Sequence, residues 1–234
     1  MMMVEKKEMI QGKKMMAALF CGMLGCVFMG SGDWLMMYGD VTSHGNVYWL
    51  TEGVAQISPE RNLLSMLVAF PAVILYGIGL FAVEKFIKPD RPKRIYHYLT
   101  ALGMLPWLCI HLYVVMILYT FAMMSRNGYE AAIPVAEAMR AQFLPVLFIG
   151  EAIMVLPFLY WFYLQISAKT VFPKGMAFTN VLVIYGVLQV VKSVLPDSPF
   201  RIGFANGLMS ESMILWFGIM LVWVVFSKNR DMSK

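Results

Sequence analysis

Five ionisable side chains stand inside or at the ends of apolar stretches: Asp33, His111, Glu151, Lys192 and Glu211. Carboxylates beside an imidazole perform general acid/base work, and an ammonium steadies developing negative charge. The same set of groups can also hold a proton or cation for coupled transport. A charge at the bilayer centre costs about 2.5–3.5 kcal/mol on insertion scales. These groups must therefore face a bundle interior, a cavity or an interface, or be neutral. Asp33, Glu151 and Glu211 against Lys192 leave an excess of acid, which requires a held proton or cation.

The elements that position these groups follow from composition. The chain has 234 residues, 60% hydrophobic and 14% charged, with a mean hydropathy of +0.68. An ordinary soluble domain is nearer 45–50% apolar and about 25% charged. That excludes a soluble enzyme, a disulfide scaffold and a disordered chain. The expected fold is all-α: a polytopic membrane protein with one bundle domain over residues 1–234. A bilayer crossing takes about 20 apolar residues. Six stretches qualify, near Met15–Met37, Asn62–Val83, Ile95–Met124, Ala141–Ala168, Gly175–Leu195 and Phe200–Phe226. The second contains no ionisable side chain. No β-barrel alternation is present, so helices must satisfy the backbone in lipid.

Basic residues set the orientation. Lys6, Lys7, Lys13 and Lys14 precede span 1, and Lys85, Lys88, Arg91, Lys93 and Arg94 lie between spans 2 and 3. Lys169 and Lys174 separate spans 4 and 5, and Lys228, Arg230 and Lys234 follow span 6. These are fourteen of the nineteen basic residues, all on one side of a six-span chain. The positive-inside rule makes that side, with both termini, cytoplasmic. The net charge of +5 is thus a topology signal rather than a nucleic-acid footprint. The five exceptions are Arg61, Arg126, Arg140, Lys192 and Arg201. Trp34, Tyr38, Tyr48 and Trp49 are expected at the outer interface, and Tyr96, Tyr98, Trp161 and Trp223 towards the inner one. The outer loop Gly39–Arg61 reads as a lid or as slack, and Ser125–Arg140 as room for a short amphipathic helix.

At about 1.5 Å per helical residue, all five ionisable residues fall between the midplane and the outer surface. Five helices thus contribute polar groups to one slab of membrane. Local spacing supports inward facing. Gly22, Cys26 and Gly30 form a small-residue stripe, with Asp33 three residues on. Gly103, Trp107 and His111 share a face, as do Gln189 and Lys192. Gly203 and Gly207 form G-x-x-x-G, with Asn206 and Ser210 as a polar stripe near Glu211. Asn206, Gln189 and Trp107 are therefore expected to bind substrate.

Other signals carry less. The 22 methionines follow no spaced copper motif and read as flexible filler. Cys21, Cys26 and Cys109 read as small buried hydrophobes. No metal-binding pattern, P-loop, nucleophile elbow or dinucleotide fingerprint occurs, so neither metal nor cofactor is expected. His44 and His97 read as interfacial. Gly32-Asp33-Trp34-Leu35-Met36 resembles Gly150-Glu151-Ala152-Ile153-Met154, but the two lie at different depths, which disfavours an inverted repeat.

The same Gly32-Asp33-Trp34-Leu35-Met36 segment, followed by Tyr38-Gly39, resembles the Gly-Asp signature of uncharacterised six-span bacterial membrane proteins. More distantly it is similar to the Gly-Asp-x-x-Leu pattern of lysoplasmalogenase-type membrane hydrolases. That likeness implies a catalytic acid at Asp33. Three readings follow. The first is an intramembrane enzyme acting on a lipid or amphipathic substrate, with Asp33, Glu151 and Glu211 as acid/base groups, His111 as proton shuttle and Lys192 as electrostatic stabiliser. The second is a small proton- or cation-coupled transporter. The third is a sensor or assembly partner in which the polar cluster is glue. Membrane lipids are the expected partners.

Overall fold

The computed structural model describes residues 2–42 and 50–232, with side chains for 12–42 and 50–227. His44, Tyr48 and Trp49 lie outside the described residues, as do the side chains of Lys6, Lys7, Lys228, Arg230 and Lys234. The helices are α1 (Met2–Met37), α2 (Glu52–Ala55), α3 (Pro59–Val83), α4 (Asp90–Arg126), α5 (Ala132–Ile166), α6 (Val181–Val194) and α7 (Pro199–Met232). An isolated β-bridge joins Ile87 and Thr170.

Helix starts are encoded locally. Ser58 caps α3 by accepting from the Arg61 amide, with Pro59 at the first position. Thr51 caps the short α2 through the Val54 amide. Asn180 caps α6 by accepting from the Leu182 amide at 2.9 Å, and its Nδ2 donates to the Phe158 carbonyl at 3.0 Å. These side chains satisfy backbone groups that a helix end leaves open.

Five helices are long and apolar enough to cross a membrane: Gly12–Met37, Pro59–Phe86, Asp90–Arg126, Ala132–Ile166 and Pro199–Ser227. They make this a multi-pass membrane protein. The sixth expected stretch, Gly175–Leu195, divides in two. Lys174–Thr179 is a 3₁₀ turn, and α6 has only 14 residues, about 21 Å of helix. Its apolar composition is continuous, but its backbone breaks at the buried Asn180, which caps α6. The expected amphipathic helix in Ser125–Arg140 is absent as a separate element. A tight turn at Asn127–Gly128 leads straight into α5, which starts nine residues before the expected span. Gly128 takes φ of +71° there, a conformation glycine adopts freely.

The helices alternate in direction. Gly22 faces Phe217, Gly30 faces Ser210, and Asn206 bonds Asp33, so α7 runs antiparallel to α1. The α3–α4 and α5–α6 connections are stitched together, Lys88 N to Lys169 O and Val171 N to Phe86 O, each at 2.9 Å. The basic loops at Lys85–Arg94 and Lys169–Lys174 thus share one end of the bundle, here the basic end. Helix α1 packs between α3 and α7, α4 between α3 and α5, and α6 lies mainly on α7.

The half nearer the basic end is filled with rings. Tyr76 packs on Trp107, Tyr96 on Trp161, Phe158 edge-on to Trp216, and Phe172 on Trp223. Tyr96 and Trp161, expected at the interface, are fully buried. In lipid such packing is decided by fit and close contact more than by the hydrophobic effect. At the far end, Leu50, Val54 and Ile57 are buried in a cluster with Val115, Leu118 and Phe121 of α4. The Leu50–Ile57 part of the Gly39–Arg61 loop is therefore packed, while Asp40, Thr42 and Gln56 stay exposed.

Candidate functional site

Asp33 sits four residues before the end of α1, where the small residues Gly30 and Gly32 let neighbouring helices approach. Its Oδ1 lies 3.1 Å from His111 Nδ1 on α4. Its Oδ2 accepts from Ser210 Oγ at 3.2 Å, and its backbone carbonyl accepts from Asn206 Nδ2 at 3.2 Å, both on α7. On the other side of the imidazole, Nε2 lies 3.1 Å from the Ser65 carbonyl and 3.3 Å from Ser65 Oγ, on α3. Four helices converge on two side chains. His111 is 4% exposed, and the side chain of Asp33 is 13% exposed.

The network fixes the proton count. Ser65 Oγ donates its one proton to the Gly32 carbonyl at 2.7 Å. Both Ser65 oxygens near Nε2 are then acceptors, so Nε2 carries a proton. Nδ1 and Oδ1 share one more. Either an imidazolium faces a carboxylate, or a neutral imidazole accepts from a carboxylic acid. The pair is net neutral in both forms, which removes most of the cost of ionisable groups in lipid. It also holds one proton between two basic atoms, the arrangement that proton transfer needs.

Glu211 belongs to a separate contact. Trp34 Nε1 donates to Glu211 Oε1 at 3.0 Å, and Glu211 Oε2 is buried with no partner among the described residues. The Trp34 indole lies against Gly203 and Gly207 of α7. The G-x-x-x-G pair is thus an indent for a ring. Glu211 and Asn206 are five residues apart, about 140° around the helix. Asn206 turns towards Asp33, and Glu211 turns to the Trp34 side.

Near this centre is a partly enclosed cavity of about 700 Å³. Met37, Val114, Phe143, Leu147 and Ile202 give it apolar walls, and Tyr185, Gln189 and Asn206 give it neutral polar groups. Arg140, Lys192, Asp197 and Arg201 give it charge. Met37 is four residues after Asp33 and Val114 three after His111. The Asp33–His111 pair therefore lies one helical turn deeper than the wall. Asn206 both lines the cavity and bonds Asp33.

The expected site residues separate accordingly. Asp33, His111 and Asn206 come together. Lys192 and Gln189 line the cavity without touching the pair. Gln189 Nε2 donates to Tyr185 Oη at 2.7 Å. Glu151 is exposed and bonds no described residue. It shares a face of α5 with Arg140, Leu147 and Phe158, at spacings of seven or four. That places it between the cavity wall and the aromatic pack. Trp107 is buried against Tyr76 in the core, away from the cavity. Ser65 and Trp34 were not among the expected site residues. Ser65 was hidden because its span holds no ionisable group; its only signal is one hydroxyl within Leu63-Leu64-Ser65-Met66.

No curated protein and no solved structure matches the chain, and nothing found carries the likeness to lysoplasmalogenase-type hydrolases. One family profile matches residues 3–228. The chain accordingly belongs to DUF6796, a family of unknown function.

Proposed function

We propose that this protein is a membrane-embedded acid/base enzyme, one bundle domain, acting on an amphipathic substrate held in the far-end cavity. The observation that carries the reading is the 3.1 Å contact between Asp33 Oδ1 and His111 Nδ1, one turn inward of the cavity wall. Asp33 gives or takes the proton, and His111, anchored by Ser65, receives or returns it. Asn206 links Asp33 to the cavity, and Lys192 offers positive charge to a developing anion. Glu151 is a second carboxyl on the cavity stripe, and Glu211 stays outside the chemistry. With α6 counted as a sixth crossing segment, the positive-inside rule makes the basic end cytoplasmic. The cavity then opens in the outer half of the membrane, with lipids as the source of substrate.

A proton-coupled carrier would use the same groups. It would need access from both sides in turn, and the aromatic pack in the basic half favours one-sided access. The test is turnover. Purified protein is reconstituted in vesicles doped with oleate, lysophosphatidylglycerol and lysophosphatidylethanolamine, and products are read by mass spectrometry. The expected result is conversion by the native protein and none by Asp33→Asn with unchanged melting temperature. Equal conversion by both overturns the acid/base assignment. A proton-gradient-driven flux of the same probes, abolished by Asp33→Asn, gives the site to the carrier.

A further inference from the structure

The five basic residues away from the basic end do not share one role. Arg61 donates to the Tyr38 carbonyl at 3.0 Å and so ties α3 to the end of α1. Arg126 donates to the Ala122 carbonyl in its own helix. The other three, Arg140 of α5, Lys192 of α6 and Arg201 of α7, line one cavity. They come from three helices, at the end of the molecule where the positive-inside rule keeps cations scarce. Among the described lining residues one carboxylate stands against them, Asp197, which pairs with Arg201. The Lys192 side chain has no hydrogen bond or ion pair among the described residues.

A cation facing lipid is costly unless water or an anion meets it. Deeper than these cations, the walls turn aliphatic and aromatic at Val114, Phe143 and Leu147. The cavity is thus graded along its depth, charged at the rim and below it apolar on the α4 and α5 side, with the neutral Tyr185, Gln189 and Asn206 on the α6 and α7 side. Its volume of about 700 Å³ lies in the range of small-ligand sites, ~300–1,000 Å³.

We infer that the cavity binds an amphiphile with an anionic head group, the head at Lys192 and Arg201 and the aliphatic chain against Val114, Phe143 and Leu147. The inference deepens the enzyme reading, because it uses the same cavity, but it needs no chemistry at Asp33. The head is a phosphate or carboxylate, which the ammonium and guanidinium meet with charge-assisted hydrogen bonds. The chain supplies the orientation, since only the rim of the cavity is charged.

The experiment is ligand-dependent melting of the purified full chain in a neutral maltoside detergent. Dodecyl phosphate is compared with dodecyltrimethylammonium and with inorganic phosphate. The expected result is a concentration-dependent rise in melting temperature with dodecyl phosphate alone. Lys192→Gln, with its ligand-free melting temperature unchanged, weakens the half-maximal concentration about tenfold, the scale of one charge-assisted hydrogen bond. Lys192→Arg stays within about threefold of the native chain. Equal shifts from the ammonium amphiphile overturn the inference, as does native-like binding by Lys192→Gln. A full shift from inorganic phosphate alone also overturns it, because the site would then read a free anion. Failure of the two proposals is distinguishable. Head-group-selective melting without turnover leaves this inference standing and removes the enzyme. Turnover with no head-group selectivity does the reverse.

Discussion

Asp33 on α1 and His111 on α4, 78 residues apart in sequence, meet at 3.1 Å between Oδ1 and Nδ1, and each is held by a serine from another helix. The two are asymmetric in what each loses without its partner. Asp33→Asn keeps the network: Nδ2 donates to Nδ1 of a neutral imidazole, and Oδ1 accepts from Ser210. His111→Ala leaves an acidic group with no imidazole in a low-dielectric bundle. Thermal or denaturant unfolding in detergent should give a loss under about 1 kcal/mol for Asp33→Asn and about 3 kcal/mol for His111→Ala. Equal losses would contradict a net-neutral, proton-sharing pair.

The Trp34–Glu211 bond is testable by a double-mutant cycle. Trp34→Phe leaves both oxygens of Glu211 without a protein partner and should cost about 1–3 kcal/mol. In a Glu211→Gln background the same change removes only a bond to a neutral amide. A coupling of about 1 kcal/mol is expected between the two sites. Strict additivity would mean that the indole and the carboxyl do not interact.

Helix approach predicts a rank order among glycine-to-alanine changes. At Gly25 a methyl group would meet the Ala72 carbonyl at 2.7 Å and Leu75 Cβ at 2.9 Å, on α3. At Gly203 it would meet Trp34 Cε3 at 2.6 Å, and at Gly207 the nearest atoms are at 3.1 Å. At Gly186 nothing lies within 4 Å. Gly25→Ala and Gly203→Ala should each lower stability by about 1–3 kcal/mol. Gly207→Ala should cost less, and Gly186→Ala should be neutral or slightly stabilising. A melting series in one detergent checks the order.

Asn180 holds α6 in two ways, as its cap and as a donor to α5. Asn180→Ala should cost about 1–2 kcal/mol. It should also raise amide hydrogen exchange across Val181–Val194 more than in α1 or α3. Uniform exchange along the chain would show that α6 is anchored elsewhere.

Much of this was legible in the sequence. Apolar runs of 22 residues and more gave the five long helices, and basic clusters placed two connections at one end. Depth along the chain brought Asp33 and His111 into the same slab, and their side chains do meet; Asn206, from the polar stripe of α7, reaches the Asp33 backbone carbonyl. Depth says nothing about azimuth, however. Glu211 is level with the others but turned about 140° from Asn206. Lys192 lines the cavity without reaching the pair, and Glu151 lies outside its lining. Trp107 shares a face with His111, yet a ring of that size fills the core against Tyr76 before it reaches open space. Ser65 was invisible for another reason: in an apolar helix one hydroxyl hardly changes hydropathy, although it decides where the imidazole proton sits. The division of Gly175–Leu195 was hidden because apolar content is blind to a cap at Asn180.

Helix α6 is 14 residues long, and Val181 is its only buried residue. At about 21 Å it is shorter than a hydrocarbon core of about 30 Å. With α6 as the sixth crossing segment proposed above, the bilayer beside it would thin or dimple to keep the Lys192 ammonium wet. Hydrophobic mismatch would therefore draw neighbouring lipid polar groups down along this flank, to the level of the cavity rim.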